Sequence, residues 1–142
     1  MRLLLKRRYT PRHTLGRLYL GSRLLCGIRE APKSCYSPSK HCIDEGVYEL
    51  EPMHTEEKGW EIRIGDQGYI RPIGPDQLPD HSEMGPVTDF DGKGQPTFTR
   101  LAFQKLLGEL GELWERGEIV ELQVVGIGIP YPTKVCRIPS FS

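Results

Sequence analysis

The sequence predicts an α+β domain, a mostly antiparallel, barrel-like β sheet with one C-terminal amphipathic helix packed on it. Three observations predict this. Short apolar–polar alternations recur from Leu3 to Ile70, separated by turn residues, and a period of two marks strands with one buried face. One later segment, Phe98 to Trp114, switches to spacings of three and four, the period of a helix with an apolar stripe. Between them, Pro72 to Pro96 is rich in proline, glycine and aspartate and has no period. The 142 residues are the usual size of one domain, so 1–142 is read as a single unit. Such a chain can bury one core without metal or disulfide staples.

The elements follow in order. Leu3 and Leu5 alternate with charged neighbours, and Leu18 and Leu20 share a face opposite Arg17 and Tyr19. Gly21-Ser22 then separates two apolar runs, which is the pattern of a two-residue type II′ hairpin, since glycine accepts the first position's positive φ cheaply. Ala31 to Lys40, with its prolines and serines, reads as a loop. Val47 to Leu50 restarts a strand, and Pro52 is expected at its end or at a sheet edge. Trp60 to Ile64 alternates cleanly, Gly65 to Gly68 turns the chain, and Tyr69-Ile70 begins the return. The segment 72–97 is expected to be one long, mobile loop, and loops of that length are usually functional or disordered.

The helix is expected over about 98–116, with Phe98, Leu101, Ala102, Leu106, Leu110, Leu113 and Trp114 as its buried stripe. Gly108 and Gly111 each cost it about 1 kcal/mol relative to alanine, so burial must hold it together. Gly117 ends it, and Glu118 to Val125 is a strand. Ile129 to Cys136 is a further extended candidate.

Charge and composition narrow the function classes. The 19 basic and 19 acidic residues cancel, which argues against non-specific nucleic-acid binding. Arg2, Lys6, Arg7, Arg8, Arg12 and Arg17 crowd the first twenty positions and are read as a solvated strand face or edge. Lys6-Arg7-Arg8 cuts the apolar start short of a signal peptide, and no run has the length of a membrane span. Synthesis in the cytoplasm is therefore expected, with later delivery inside a larger assembly left open. That compartment favours free thiols for Cys26, Cys35, Cys42 and Cys136. None forms a C-x-x-C pair, and no metal site or cofactor is expected. Cys26 and Cys136 read as small core residues.

Several short motifs run through the chain. Thr14-Leu15-Gly16-Arg17-Leu18 opens a hairpin, Cys26 to Glu30 follows, and Ile43-Asp44-Glu45-Gly46-Val47-Tyr48 leads into the next strand. Leu101-Ala102-Phe103 lies in the helix, and Glu118-Ile119-Val120-Glu121-Leu122 closes the domain. This order resembles an uncharacterised bacterial and phage family with an L,D-transpeptidase-like layout. The resemblance implies a His-x-Gly-Asn segment and, about a dozen residues later, a Gly-Cys pair, which together activate a cysteine nucleophile beside an imidazole. Here those segments fall at Pro72-Ile73-Gly74-Pro75 and Gly85-Pro86. The glycines stay, and the His and Cys positions are held by Pro72 and Pro86, which offer neither a base nor a nucleophile.

The resemblance therefore implies a chain that binds and does not catalyse. The residues expected to form a degenerate binding site with the loop are Pro72, Gly74, His81, Gly85, Pro86, Asp89 and Phe90. Trp60, Tyr69 and Tyr131 are candidate contact aromatics. Protein partners in a phage-like, secretion or envelope-associated assembly are expected, with peptidoglycan as an alternative ligand. Two other readings stand beside this one: a cell-wall peptidase or transpeptidase that has relocated its cysteine to Cys42 or Cys26, and a small immunity or regulatory protein. Asp89-Phe90-Asp91-Gly92 lacks the spacing and closing glutamate of a calcium loop and reads as a polar turn. His13 and His54 read as surface or satisfied strand histidines.

Overall fold

Strands alternate inward and outward along the chain, and the inward sets meet in one core. The computed structural model describes residues 1–90, 96–97 and 99–127, with 89, 90, 96 and 97 described by their backbone alone. The elements are β1 (Arg2–Tyr9), β2 (Thr14–Leu20), β3 (Arg23–Glu30), β4 (Gly46–Thr55), β5 (Gly59–Ile64), β6 (Gly68–Ile70), β7 (Glu83–Val87), β8 (Asp89–Phe90), β9 (Pro96–Thr97), α1 (Thr99–Glu115) and β10 (Val120–Gly126). Eight strands close a barrel in the order β1-β10-β4-β5-β6-β7-β3-β2, and among the described residues β8 pairs only with β9. The expected extended segment from Ile129 to Cys136, with Tyr131, lies outside the described residues.

The sheet is mostly antiparallel and barrel-like, as expected, but it closes completely and is mixed. Two of its pairings are parallel, β1 with β10 and β6 with β7. A parallel pair needs a crossover of roughly a dozen residues where an antiparallel pair needs two. Residues 71–82 supply that crossover between β6 and β7, and α1 lies in the connection that precedes β10. The segment 72–97 is therefore not one long loop. It contains β7, whose Met84 to Val87 are buried and pair with β3.

The β2–β3 hairpin forms as read. Leu20 faces Arg23 across a two-residue turn, and Gly21 sits at φ 62°, which a side chain would make costly. Pro52 does not end β4, which continues to Thr55. It lies past Leu50, the last residue of β4 that pairs with β10, so its missing N–H leaves no ladder bond unmade.

Leu3, Leu5, Leu18, Ile28, Leu50, Ile62, Ile64, Ile70, Val120 and Leu122 fill the barrel and are essentially unexposed. Phe103, Leu106, Leu110 and Leu113 of α1 join the same core. The helix sits at the β2–β3 hairpin end. Arg23 of the hairpin pairs with Glu109 at 2.8 Å, and Trp114 Nε1 donates to the Leu50 carbonyl at 3.2 Å. Trp114 is thus half-buried against the core, as expected.

The basic N-terminal run is not uniformly a solvated face. Arg7 continues the inward series of Leu3 and Leu5 and is 1% exposed. Its Nε donates to Glu30 Oε2 at 2.8 Å, its Nη2 to Glu30 Oε1, and its Nη1 to the Ile43 carbonyl at 2.7 Å. Burial works against the guanidinium's charge, but the facing carboxylate outweighs it, and the Arg7 pKa is raised. Nor is β1 an edge, since it pairs on both sides.

Candidate functional site

The two segments expected to carry a degenerate reaction centre do meet, where Ile73 rests on Gly85. Gly85 on β7 stands opposite Arg29 on β3. A Cβ on Gly85 would lie 3.0 Å from Ile73 Cδ1, so the bare backbone lets Ile73 rest on the strand. The Gly74 carbonyl accepts from Arg29 Nη2 at 2.9 Å. The 72–80 segment is thereby folded onto the outer wall of the barrel. Pro72 is exposed beside it, while Pro86 is buried opposite Ile28. Asp89 and Phe90 form β8, which pairs with Pro96 and Thr97 of β9.

Among the described residues, neither free thiol stands ready beside an imidazole. Cys42 is buried, and its Sγ accepts from Thr14 Oγ1 at 3.8 Å. His41 faces another way: its Nδ1 lies 3.0 Å from the Cys42 carbonyl oxygen. Its ring meets His81 edge-on, with centroids 4.4 Å apart. Burial pushes the Cys42 thiol up, with the Arg7 charge opposing. Cys26 is buried in the core and pushed up to about 12 by burial. A raised pKa withholds the thiolate that nucleophilic chemistry needs. Cys26 and Cys42 are free as expected, whereas Cys35 is disulfide-bonded; Cys136 lies outside the described residues. Among those residues no group of three or more His, Cys, Asp or Glu is placed to hold a metal ion.

One recess lies at the rim, on the outer face of β2 and β3. It is a cavity of about 530 Å³ between that wall, the β1–β2 turn, the 31–40 loop and the 72–80 segment. Leu15 and Arg29, partners in register on β2 and β3, form its floor. Arg12, Arg29, Lys40, Glu30 and Asp80 are its charged residues, His13 lies among them, and Pro32 and Pro79 are among its apolar walls. Arg29 is 7% exposed. Its Nη atoms donate to the carbonyls of Gly74 and Pro75, while its Nε has no hydrogen-bond partner among the described residues. Burial lowers the Arg29 pKa. His13 is held below its ordinary value by burial and then by the charges of Arg29 and Arg12.

A different surface carries the exposed aromatics. β4 beyond Leu50 and β5 before Ile62 pair with each other and, among the described residues, with no other strand. This two-stranded ribbon presents Trp60, 51% exposed, with His54 4.9 Å away between ring centroids. Tyr69 is exposed on neighbouring β6.

Compared with family models, curated proteins and solved structures, the chain matches none. Of the residues expected at the site, Gly74 holds the cavity's arginine and Gly85 seats the segment beside it. His81 lies apart, against His41. No local pattern in the sequence groups Arg12, His13, Arg29 and Lys40. The available signal was phase: Cys26, Ile28 and Glu30 point inward, so Arg29 points outward, beneath whatever crosses that wall.

Proposed function

We propose that this domain is a non-catalytic binding or structural component, a degenerate transpeptidase-like barrel acting through protein–protein contacts in a phage-like, secretion or envelope-associated assembly. The observation that carries the binding half is the β4–β5 ribbon. Its outer edges are unpaired among the described residues, and it bears an exposed tryptophan beside a histidine ring. Free strand edges are templates for another chain, and tryptophan is favoured at the centre of interfaces. The non-catalytic half draws support from the buried thiols with raised pKa values and from the prolines at 72 and 86. The assembly itself rests on the family resemblance.

The test is a pull-down from native cells with the tagged chain and its Trp60→Ala variant. Assembly proteins recovered in fixed ratio, and lost with Trp60→Ala, are the expected result. A monomeric, unassociated protein in the lysate would count against it. So would turnover of muropeptides that disappears in Cys42→Ala or Cys26→Ala, which belongs to the relocated-cysteine enzyme.

A further inference from the structure

We infer that the rim cavity binds a small organic anion, with its carboxylate or phosphate head at Arg29 and Arg12 and its apolar body against Leu15, Pro32 and Pro79. This does not rest on the assembly reading. The volume of about 530 Å³ is within the range of about 300–1,000 Å³ usual for small-ligand sites, which are mostly apolar with a few placed polar groups.

The charge arithmetic points to an anion. Three cations, Arg12, Arg29 and Lys40, and two carboxylates, Glu30 and Asp80, line the cavity. Glu30 is bound to Arg7 inside the barrel, and Asp80 faces Lys40 at 3.7 Å. Neither Arg12 nor Arg29 has an ion pair among the described residues. Arg29 matters most, because a buried charge without a counter-ion is costly and buried charges are ordinarily paired. Two backbone carbonyls hold its guanidinium in place without neutralising it, and Nε–H lacks an acceptor among the described residues. A bound oxyanion supplies the missing charge, and a planar guanidinium matches its geometry. Burial first, and then the charges of Arg29 and Arg12, lower the His13 pKa, so both guanidinium charges reach His13.

Calorimetry and amide NMR on the full chain test this, with phenyl phosphate and hexanoate as probes, inorganic phosphate as the bare head group, and phenol and hexanol as neutral bodies. Phenyl phosphate, hexanoate or both should bind, shifting the amides of Leu15, Arg29, Ala31 and Leu78. Phenylacetate, which keeps the aromatic body, is compared with phenyl phosphate, and the tighter of the two identifies the head group. His13 should titrate at higher pH in the complex, since the anion offsets Arg29 and Arg12 while Lys40, Asp80 and Glu30 keep their places around it. Arg29→Met should weaken binding by about tenfold or more, the scale of a lost charge-assisted hydrogen bond. Should Arg29→Met release the Gly74 segment or fail to fold, Arg12→Glu on the exposed β1–β2 turn carries the test with the same expected loss. Equal binding of phenol and phenyl phosphate, unchanged affinity in Arg12→Glu, or no anion binding at millimolar concentration would overturn the inference. Inorganic phosphate binding as tightly as phenyl phosphate would overturn the apolar-body part of it.

Discussion

Arg7 and Glu30 place a fully buried ion pair where the alternation of β1 and β3 leads two apolar series to the rim of the barrel. Removing one partner leaves the other charged and uncompensated, at about 3–5 kcal/mol. Replacing both with apolar residues of similar volume is often close to neutral. Arg7→Met and Glu30→Leu are each expected to lower stability by that amount in urea titrations, and the double variant to recover most of it. Additive losses in the double variant would mean that the pair is not coupled. The sequence held the position but not the pairing. Leu3 and Leu5 put residue 7 on the inward face, yet arginine is so rarely buried without a partner that its charge reads as surface. Cys26 was legible as a core residue and adds a pH dependence. Its folded pKa is raised from 9.0 to about 12 by burial. The folded state therefore retains the proton where the unfolded chain has lost it. That contribution is complete below about pH 9 and is lost as pH rises toward 12, with a slope of at most about 1.4 kcal/mol per pH unit for one group. Cys26→Val should flatten the alkaline limb of a stability–pH curve, and an unchanged limb would assign it to other groups.

Helix α1 and the β2–β3 hairpin were legible because each carries its own local signal, the stripe from Ala102 to Leu113 in one case and Gly21-Ser22 in the other. Strand β7 was not. Gly85-Pro86 is poor in strand propensity, and β7 is made by its neighbours, β3 on one side and α1 packed against it. The amides of Met84, Gly85 and Val87 are accordingly expected to be protected in hydrogen exchange. Exchange there as fast as in an open loop would show the pairing to be unstable. Within α1, a Cβ on Gly108 or Gly111 would meet nothing within 4 Å. Each glycine-to-alanine change there removes backbone entropy from the unfolded chain without a clash, and is expected to stabilise by about 0.5–1 kcal/mol in chemical denaturation. Gly68 is the opposite case. Its added Cβ would fall 2.1 Å from the Ser82 carbonyl oxygen, and Ser82 is itself held at φ 61°. Gly68→Ala must push β6 from the start of β7 and should cost about 1–3 kcal/mol, the scale of overpacking. No loss in denaturant midpoint would mean that the β6–β7 crossover yields easily.

Barrel closure was beyond local reading, because alternation tells which face of a strand is buried but not which strand lies beside it. The closing pairs join distant parts of the chain: Arg2 of β1 contacts Glu121 of β10 across 119 positions. Bringing such segments together must be met by loop-closure entropy before any contact rewards it, so topologies of this kind fold slowly. The local β2–β3 hairpin is expected to form early and the β1–β10 seam late. Leu18 on β2 and Leu122 on β10 are both essentially unexposed in the same core, and truncating either to alanine should cost about 2–5 kcal/mol at equilibrium. Their kinetics should differ. Leu18→Ala should slow refolding, because its contacts with β3 are already made at the barrier. Leu122→Ala should leave refolding nearly unchanged and speed unfolding, since its contacts form after the barrier. Stopped-flow chevrons of the two variants separate these cases. A slowed folding arm in Leu122→Ala would place the parallel seam in the nucleus, with the barrel closing first and the hairpin setting into it afterwards.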